Sequence, residues 1–176
     1  VPEICSRFVD CHVWRRPHGQ TQEEWLTMLR APHILLGGTW QMVSGTLETG
    51  ETAYAAAARE LFEETGLRPL HFYQASYVNR FYLAATDQII LSPVFAAEVA
   101  PDAEVRLSGE HTDFAWVPPE EAHRRLPWPG QRESLATIRD QFLLREPLPV
   151  SRLDHLVRCA APSDAVKPAR RPAAAG

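Results

Sequence analysis

Cysteine is scarce in this chain: three residues in 176, Cys5, Cys11 and Cys159, odd in number and widely spread. That spacing offers no disulfide framework, so reduced thiols at core or sheet-face positions are expected. Long apolar runs are missing too; no stretch approaches the roughly 20 residues of a membrane-spanning helix. Nor is there a basic surplus. Eighteen Lys and Arg stand against 22 Asp and Glu, a formal net charge of -4, which argues against a general nucleic-acid binder. No membrane partner and no stable nucleic-acid partner are expected. The opening Val-Pro-Glu-Ile-Cys lacks the basic and apolar regions of a secretory leader. A cytoplasmic setting is the expectation. None of these absences excludes a small phosphate-bearing substrate whose charge a metal can neutralise.

What is present is a globular composition, 45% hydrophobic and 23% charged, long enough for one domain with a core. Residues 1–159 are expected to form that domain. Residues 160–176, mostly Ala, Pro, Arg and Lys, read as a disordered tail. Rough alternation predicts strands over Ile4–Trp14 and Trp25–Leu29, separated by a polar turn with Pro17 and Gly19. A third extended piece covers Trp40–Val43 after the glycines at 37 and 38. Thr52 is placed to cap a helix that the following alanines propagate and Gly66 ends. Strands over Leu70–Leu83 and Gln88–Val99 come next, then a polar loop and a short strand over Asp113–Val117. A helix from Pro118 is broken near Pro127–Gly130, and an amphipathic helix spans Gln131–Leu144. Strands, helix, strands, helices is the order of an α+β domain, layered α/β/α around a mixed sheet.

The first of these helices concentrates acid. Residues advance by about 100° along a helix, so Glu60, Glu63 and Glu64 share an arc of roughly 100°. Like charges at this spacing repel by a few tenths of a kcal/mol per pair. Arg59, one turn before Glu63, offsets part of that charge. A solvated acidic face is one meaning of such a run. A site for a hard divalent cation such as Mg²⁺ or Mn²⁺ is the other.

The neighbouring residues decide between the two. Gly45, Glu51, Arg59, Glu60, Leu61, Glu63, Glu64, Gly66 and Leu67 fit the pattern G-x5-E-x7-R-E-U-x-E-E-x-G-U, where U is a bulky aliphatic. Its chance occurrence in such a chain is roughly 10⁻⁷. In this the chain resembles the Nudix hydrolases. The resemblance implies a Nudix-type α/β/α sandwich and water attack at a phosphorus of a nucleoside diphosphate linked to another group, with divalent metal help. It further implies that Glu60, Glu63 and Glu64 bind metal together with the carbonyl of Gly45. Arg59 would orient a glutamate, and Glu51 would hold the loop–helix junction.

A further carboxylate is expected from outside the helix. In "SGEHTDFAWVP" Glu110 stands just before a strand and is the candidate base; Asp102, Glu104 and Asp113 are weaker rivals, and His111 is expected to be exposed. The stretch "WQMVSGTLETGE", with "EHTDFAWV" and "QRESLATIRDQFL", is similar to dihydroneopterin triphosphate and dATP pyrophosphohydrolases. That similarity implies a nucleoside or pterin triphosphate substrate cleaved to a monophosphate and pyrophosphate. Trp40 and Gln41 become candidates for the base or pterin, Arg30 and Arg80 for the phosphates. The rivals are hydrolysis of dinucleoside polyphosphates or nucleotide sugars, for which Tyr82 is a weak mark, and a nucleotide-sensing module without catalysis.

Overall fold

The computed structural model describes residues 1–159, so the expected tail at 160–176 lies outside the described residues. The order is β1 (Glu3–Cys5), β2 (Phe8–Arg15), β3 (Glu24–Arg30), β4 (Trp40–Gln41), β5 (Val43–Thr46), α1 (Ala53–Thr65), β6 (His71–Leu83) and β7 (Gln88–Glu98). Then come β8 (His111–Val117), α2 (Pro119–Arg125), α3 (Pro129–Phe142), a 3₁₀ turn (Pro149–Ser151) and α4 (Asp154–Cys159).

The sheet is mixed, and its middle is dictated by which strands can be covered on both faces. In β2, Val9, Cys11 and Val13 alternate with Asp10, His12 and Trp14, and all six are buried. β7 runs parallel to β1 and β2 on one side and antiparallel to β6 on the other. β3 pairs antiparallel with β2, β4 and β8, while β5 pairs antiparallel with β2.

Alternation along the strands sorts the core into two layers. Val9, Cys11, Val13, Leu26, Met28 and Val43 face α1, whose Ala56, Ala57 and Leu61 are fully buried against them. Trp14, Trp25, Met42, Tyr73 and Val94 face α2 and α3, meeting Ala122, Leu135, Ile138 and Phe142. The expected α/β/α layering is the observed one.

Several details differ from expectation. The strand expected over Ile4–Trp14 is interrupted at Ser6–Arg7. Glu3 stands opposite Gln88 but Asp10 opposite Val94, so one extra residue is absorbed there, as in a bulge. Thr52 occupies the N-cap position of α1, yet its side chain makes no capping hydrogen bond. Gly66 does end the helix, in the left-handed conformation at φ 69°, with its N–H donated to the Phe62 carbonyl. α3 starts two residues earlier than its apolar period shows, because Pro129 suits a first helical turn. α4 has no counterpart among the expected elements. It is six residues long and docks through buried Leu153 and through Asp154, whose Oδ1 accepts the Phe72 N–H at 2.6 Å.

Candidate active site

The three helix glutamates are not equivalent, and their helical angles say why. Taking Ala57 as the centre of the buried stripe, Glu64 falls about 20° away, Glu60 about 60° and Glu63 about 120°. Burial follows that order. Glu64 is 3% exposed, whereas the side chains of Glu60 and Glu63 are 13% and 46% exposed. Glu64 therefore continues the stripe of Ala57 and Leu61 into the core layer, and Glu63 stands at the surface.

Gly45 makes room for the middle carboxylate. It lies on the α1-facing side of β5, opposite Val9. A Cβ there would collide with Cγ, Cδ and Oε1 of Glu60, and Glu60 Oε1 accepts the Thr46 N–H at 3.3 Å. Arg59 binds the outer part of the arc. Its Nε and Nη2 donate to Glu51 Oε1 and Oε2, both at 2.9 Å. Nη1 donates to Glu60 at 2.8 Å and to Glu63 at 3.1 Å, and Nη2 also reaches the Thr46 carbonyl at 3.0 Å. Glu51 in turn accepts the Glu48 N–H at 2.9 Å, which closes the turn before the helix. Arg59 is thus a strap across loop and helix.

Glu64 has no such partner. Its Oε2 is buried without a hydrogen bond. Burial first, then the negative charges of Glu60 and Glu110, hold its carboxyl well above the usual range, opposed by the charge of Arg30 and by the Ser44 amide. Glu60 is also raised, chiefly by burial, with Arg59 pulling the other way. Among the described residues no three acidic, histidine or cysteine side chains converge into a ready-made cation cage. Arg59 explains part of this, since it engages both Glu60 and Glu63.

Residues from three other segments frame Glu64. The 100–110 loop is tied to the end of α1 by Arg106 N–H to the Thr65 carbonyl and Ser108 N–H to the Glu64 carbonyl, at 2.8 and 3.0 Å. That mount carries Glu110, whose exposed side chain lies near enough for its charge to act on Glu64. Of its rivals, Asp102 and Glu104 are exposed in the same loop, while Asp113 stands opposite Leu29 on the other face of the sheet. Arg30 and Gln41 lie on the α1 face: Gln41 is directly opposite Met28, and Arg30 Nη1 donates to Gln41 Oε1 at 3.3 Å.

Two of the residues expected at the substrate lie away from the glutamates. Trp40 precedes Gln41 in a strand, so its side chain points to the opposite face, where the Arg125 guanidinium covers its ring at 4.4 Å. Arg80 is exposed on β6 opposite Leu91, and no hydrogen bond or ion pair joins it to α1 among the described residues. His111 also departs from expectation. It is buried at 5% exposure, and its Nε2 lies 2.9 Å from the Gln41 amide nitrogen.

The NUDIX domain family model matches residues 12–138. The chain belongs to the Nudix family. Among curated relatives, an octanoyltransferase of Myxococcus xanthus is 46% identical over 101 residues, 56% of this chain and 28% of that protein. A MutT-like protein of Streptomyces ambofaciens is 34% identical over 89 residues, 51% of this chain and 54% of its own length. The chain thus spans about half or less of these relatives. Among solved structures, a C. elegans Ap4A hydrolase complex superposes with a TM-score of 0.64 at 18% identity, covering 77% of this chain and 96% of that one. The E. coli dihydroneopterin triphosphate pyrophosphohydrolase superposes with a TM-score of 0.58 at 20% identity, covering 77% and 94%. At such identities the likeness shows the Nudix fold, an α+β sandwich with a mixed sheet.

Nudix hydrolases act on pyrophosphate bonds and typically depend on a divalent metal, and this site suits one. A hard cation wants several oxygen ligands. Glu64 offers a buried oxygen with no partner, Glu60 offers a carboxylate seated in the Gly45 cradle, and Glu110 adds charge from the loop. A cation placed among them would relieve the repulsion within this group. Among the described residues no helix is long and apolar enough to cross a membrane.

Proposed function

We propose that this Nudix domain is a Mg²⁺-dependent pyrophosphohydrolase that cleaves a nucleoside or pterin triphosphate, dATP-like or dihydroneopterin triphosphate, to the monophosphate and pyrophosphate. Mn²⁺ suits the same oxygen donors. The observation that carries the reading is the buried Glu64 carboxyl, whose Oε2 has no hydrogen-bond partner, on the same helix face as Glu60 in its Gly45 cradle. The box variant "WQMVSGTLETGE" supports the triphosphate substrate.

Glu60, Glu63 and Glu64, with the Gly45 carbonyl, would hold the cation. When bound, it would withdraw charge from the phosphate oxygens and make the attacking water more acidic. Positioning and electrostatics supply most of the catalysis in phosphoryl chemistry. Arg59 keeps Glu60 and Glu63 in place through its bonds to Glu51 and Thr46. Glu110 accepts a proton from the attacking water, a role its exposed carboxylate and its mount on the end of α1 allow. Arg30 donates to phosphate oxygens, and Gln41 steadies it. Trp40 and Arg80, which lie away from the glutamates, are assigned no contact with the metal-holding carboxylates.

The test is a panel of triphosphates and diphosphates assayed with Mg²⁺, with products read by phosphorus NMR. Pyrophosphate and a monophosphate are expected, and EDTA abolishes the reaction. Orthophosphate with a nucleoside diphosphate would overturn the proposed cleavage. Turnover confined to dinucleoside polyphosphates or nucleotide sugars would move the substrate class, and no turnover at all would leave a sensing module.

A further inference from the structure

We infer that His111 is a positioning residue of this site: through Gln41 it fixes the Arg30 guanidinium beside Glu64, so that Arg30 meets a phosphate group in one orientation. The inference rests on the pyrophosphohydrolase reading for its kinetics only; the positioning itself is a property of the free protein.

The first observation is a change of register. Met28 stands opposite Phe114 and Leu29 opposite Asp113, but Arg30 stands opposite His111, leaving Thr112 as an extra residue in β8. Strict alternation would put His111 on the face of Asp113 and Ala115, away from α1. The bulge turns it back to the face of Met28, Arg30 and Gln41, which is what bulges do to side chains near sites. The Ala31 N–H donated to the Glu110 carbonyl at 2.9 Å anchors the strand end beyond it.

The second observation is a chain of polar contacts whose direction is forced. Arg30 can only donate, so Gln41 must turn its oxygen to Arg30 Nη1 and its amide nitrogen to His111. The amide donates, so His111 Nε2 accepts, and the ring carries its proton on Nδ1. That Nδ1 is buried with no partner. An orphaned buried polar atom is destabilising, and an aliphatic side chain would fill the space without it. The return is a fixed Gln41. Arg30 is pinned a second time by its Nε donating to the Leu35 carbonyl at 2.7 Å. Two of the roughly five N–H groups of the guanidinium are thereby used, and the rest are left for a ligand.

The test compares His111→Ala, His111→Gln, Arg30→Ala and the His111→Ala/Arg30→Ala double variant. With dATP and Mg²⁺, His111→Ala is expected to raise KM roughly tenfold and to change kcat by less than about twofold, the pattern of lost ground-state binding. His111→Gln, whose carbonyl can accept from Gln41, should recover part of the loss. In the Arg30→Ala background the His111 change should add nothing. Equal effects in both backgrounds, or a fall in kcat as large as the rise in KM, would overturn the inference. Nitrogen-15 NMR without substrate gives a separate readout. The wild type should show an unprotonated His111 Nε2 and a slowly exchanging Arg30 Nη1–H that is lost in His111→Ala while core amides stay protected. An Arg30 signal unchanged in that variant overturns the positioning whatever the kinetics show. If the wild type does not hydrolyse dATP, the substrate reading fails and the NMR arm still decides this one.

Discussion

Glu64→Gln should make the protein more stable and nearly inactive, a pairing that a solvated acidic face cannot produce. The ordinary carboxyl value is 4.5, and burial with the charges of Glu60 and Glu110 holds Glu64 well above it in the folded state. The folded protein therefore binds this proton more tightly than the unfolded chain. Stability is full below the unfolded value and is lost as pH rises through the window up to the raised folded value. Glutamine carries no such penalty and keeps an oxygen for the Ser44 amide. A buried charge costs more than a neutral unpartnered group, whose cost is about 1–3 kcal/mol. Glutamine keeps the neutral cost at the Oε2 position and removes the charge cost, taken as about 2 kcal/mol. At roughly 2–4 °C per kcal/mol for a chain of this length, a 2 kcal/mol relief corresponds to a gain of about 4–8 °C in Tm. The assay is thermal unfolding monitored by circular dichroism in EDTA, at about pH 8 and again at about pH 5.5, where the gap should shrink. Added Mg²⁺ should raise the wild type by mass action more than the variant. Turnover should fall at least roughly 10²-fold, as when a group that stabilises transition-state charge is removed. A variant no more stable than wild type in EDTA at about pH 8, or a gap that does not narrow at lower pH, would refute the reasoning.

Two other substitutions probe the same corner of the fold. Gly45→Ala places a Cβ on the atoms of the Glu60 carboxylate, so about 1–3 kcal/mol of overpacking is expected; denaturant midpoints would read it, and Mg²⁺ titration should show weakened binding. Glu110→Gln should lower turnover by roughly 10²–10⁴-fold, the usual contribution of acid–base catalysis, with little change in KM. Steady-state kinetics at saturating Mg²⁺ decide this, and a turnover near wild type would remove Glu110 as the base.

Much of the fold is legible in the sequence because it rests on local rules. The alanine run from Ala53, the glycine at 66 and the alternation in β2 and β3 each point to one element, and the structure contains it. The bulges are not legible. An extra residue at Ser6–Arg7 or at Thr112 leaves the apolar pattern nearly intact while reversing the face of the residues beyond it. His111, expected in solvent just before the strand, is instead turned inward by the bulge and buried. Trp40 illustrates the converse. Its place next to Gln41 in the chain suggests a shared site, but neighbouring residues in a strand point to opposite faces, and pairing with Leu29 sends it toward Arg125. α4 is too short for any periodicity to show.

The candidate site is legible as a set of residues and not as a distribution of charge. Helical spacing alone puts three glutamates in one arc. The structure divides that arc by what Arg59 can reach. Its guanidinium is shared among Glu51, Glu60 and Glu63, so one positive charge offsets part of the negative charge on the exposed side of the arc. Glu64 lies beyond it, on the core side, and the charges acting there are those of Glu60, Glu110 and Arg30. Between Glu64 and the Glu110 loop no guanidinium forms an ion pair among the described residues, and the positive charge acting on Glu64 is that of Arg30. On the proposed function, a divalent ion held by the glutamates would draw on this charge, and Arg30 would contact the substrate phosphates. Arg59→Ala should loosen Glu60 and Glu63 while Arg30 keeps its bonds to Leu35 and Gln41. Weaker binding in a Mg²⁺ titration with an unchanged Arg30 side-chain NMR signal is the expected result, and a changed Arg30 signal would refute it.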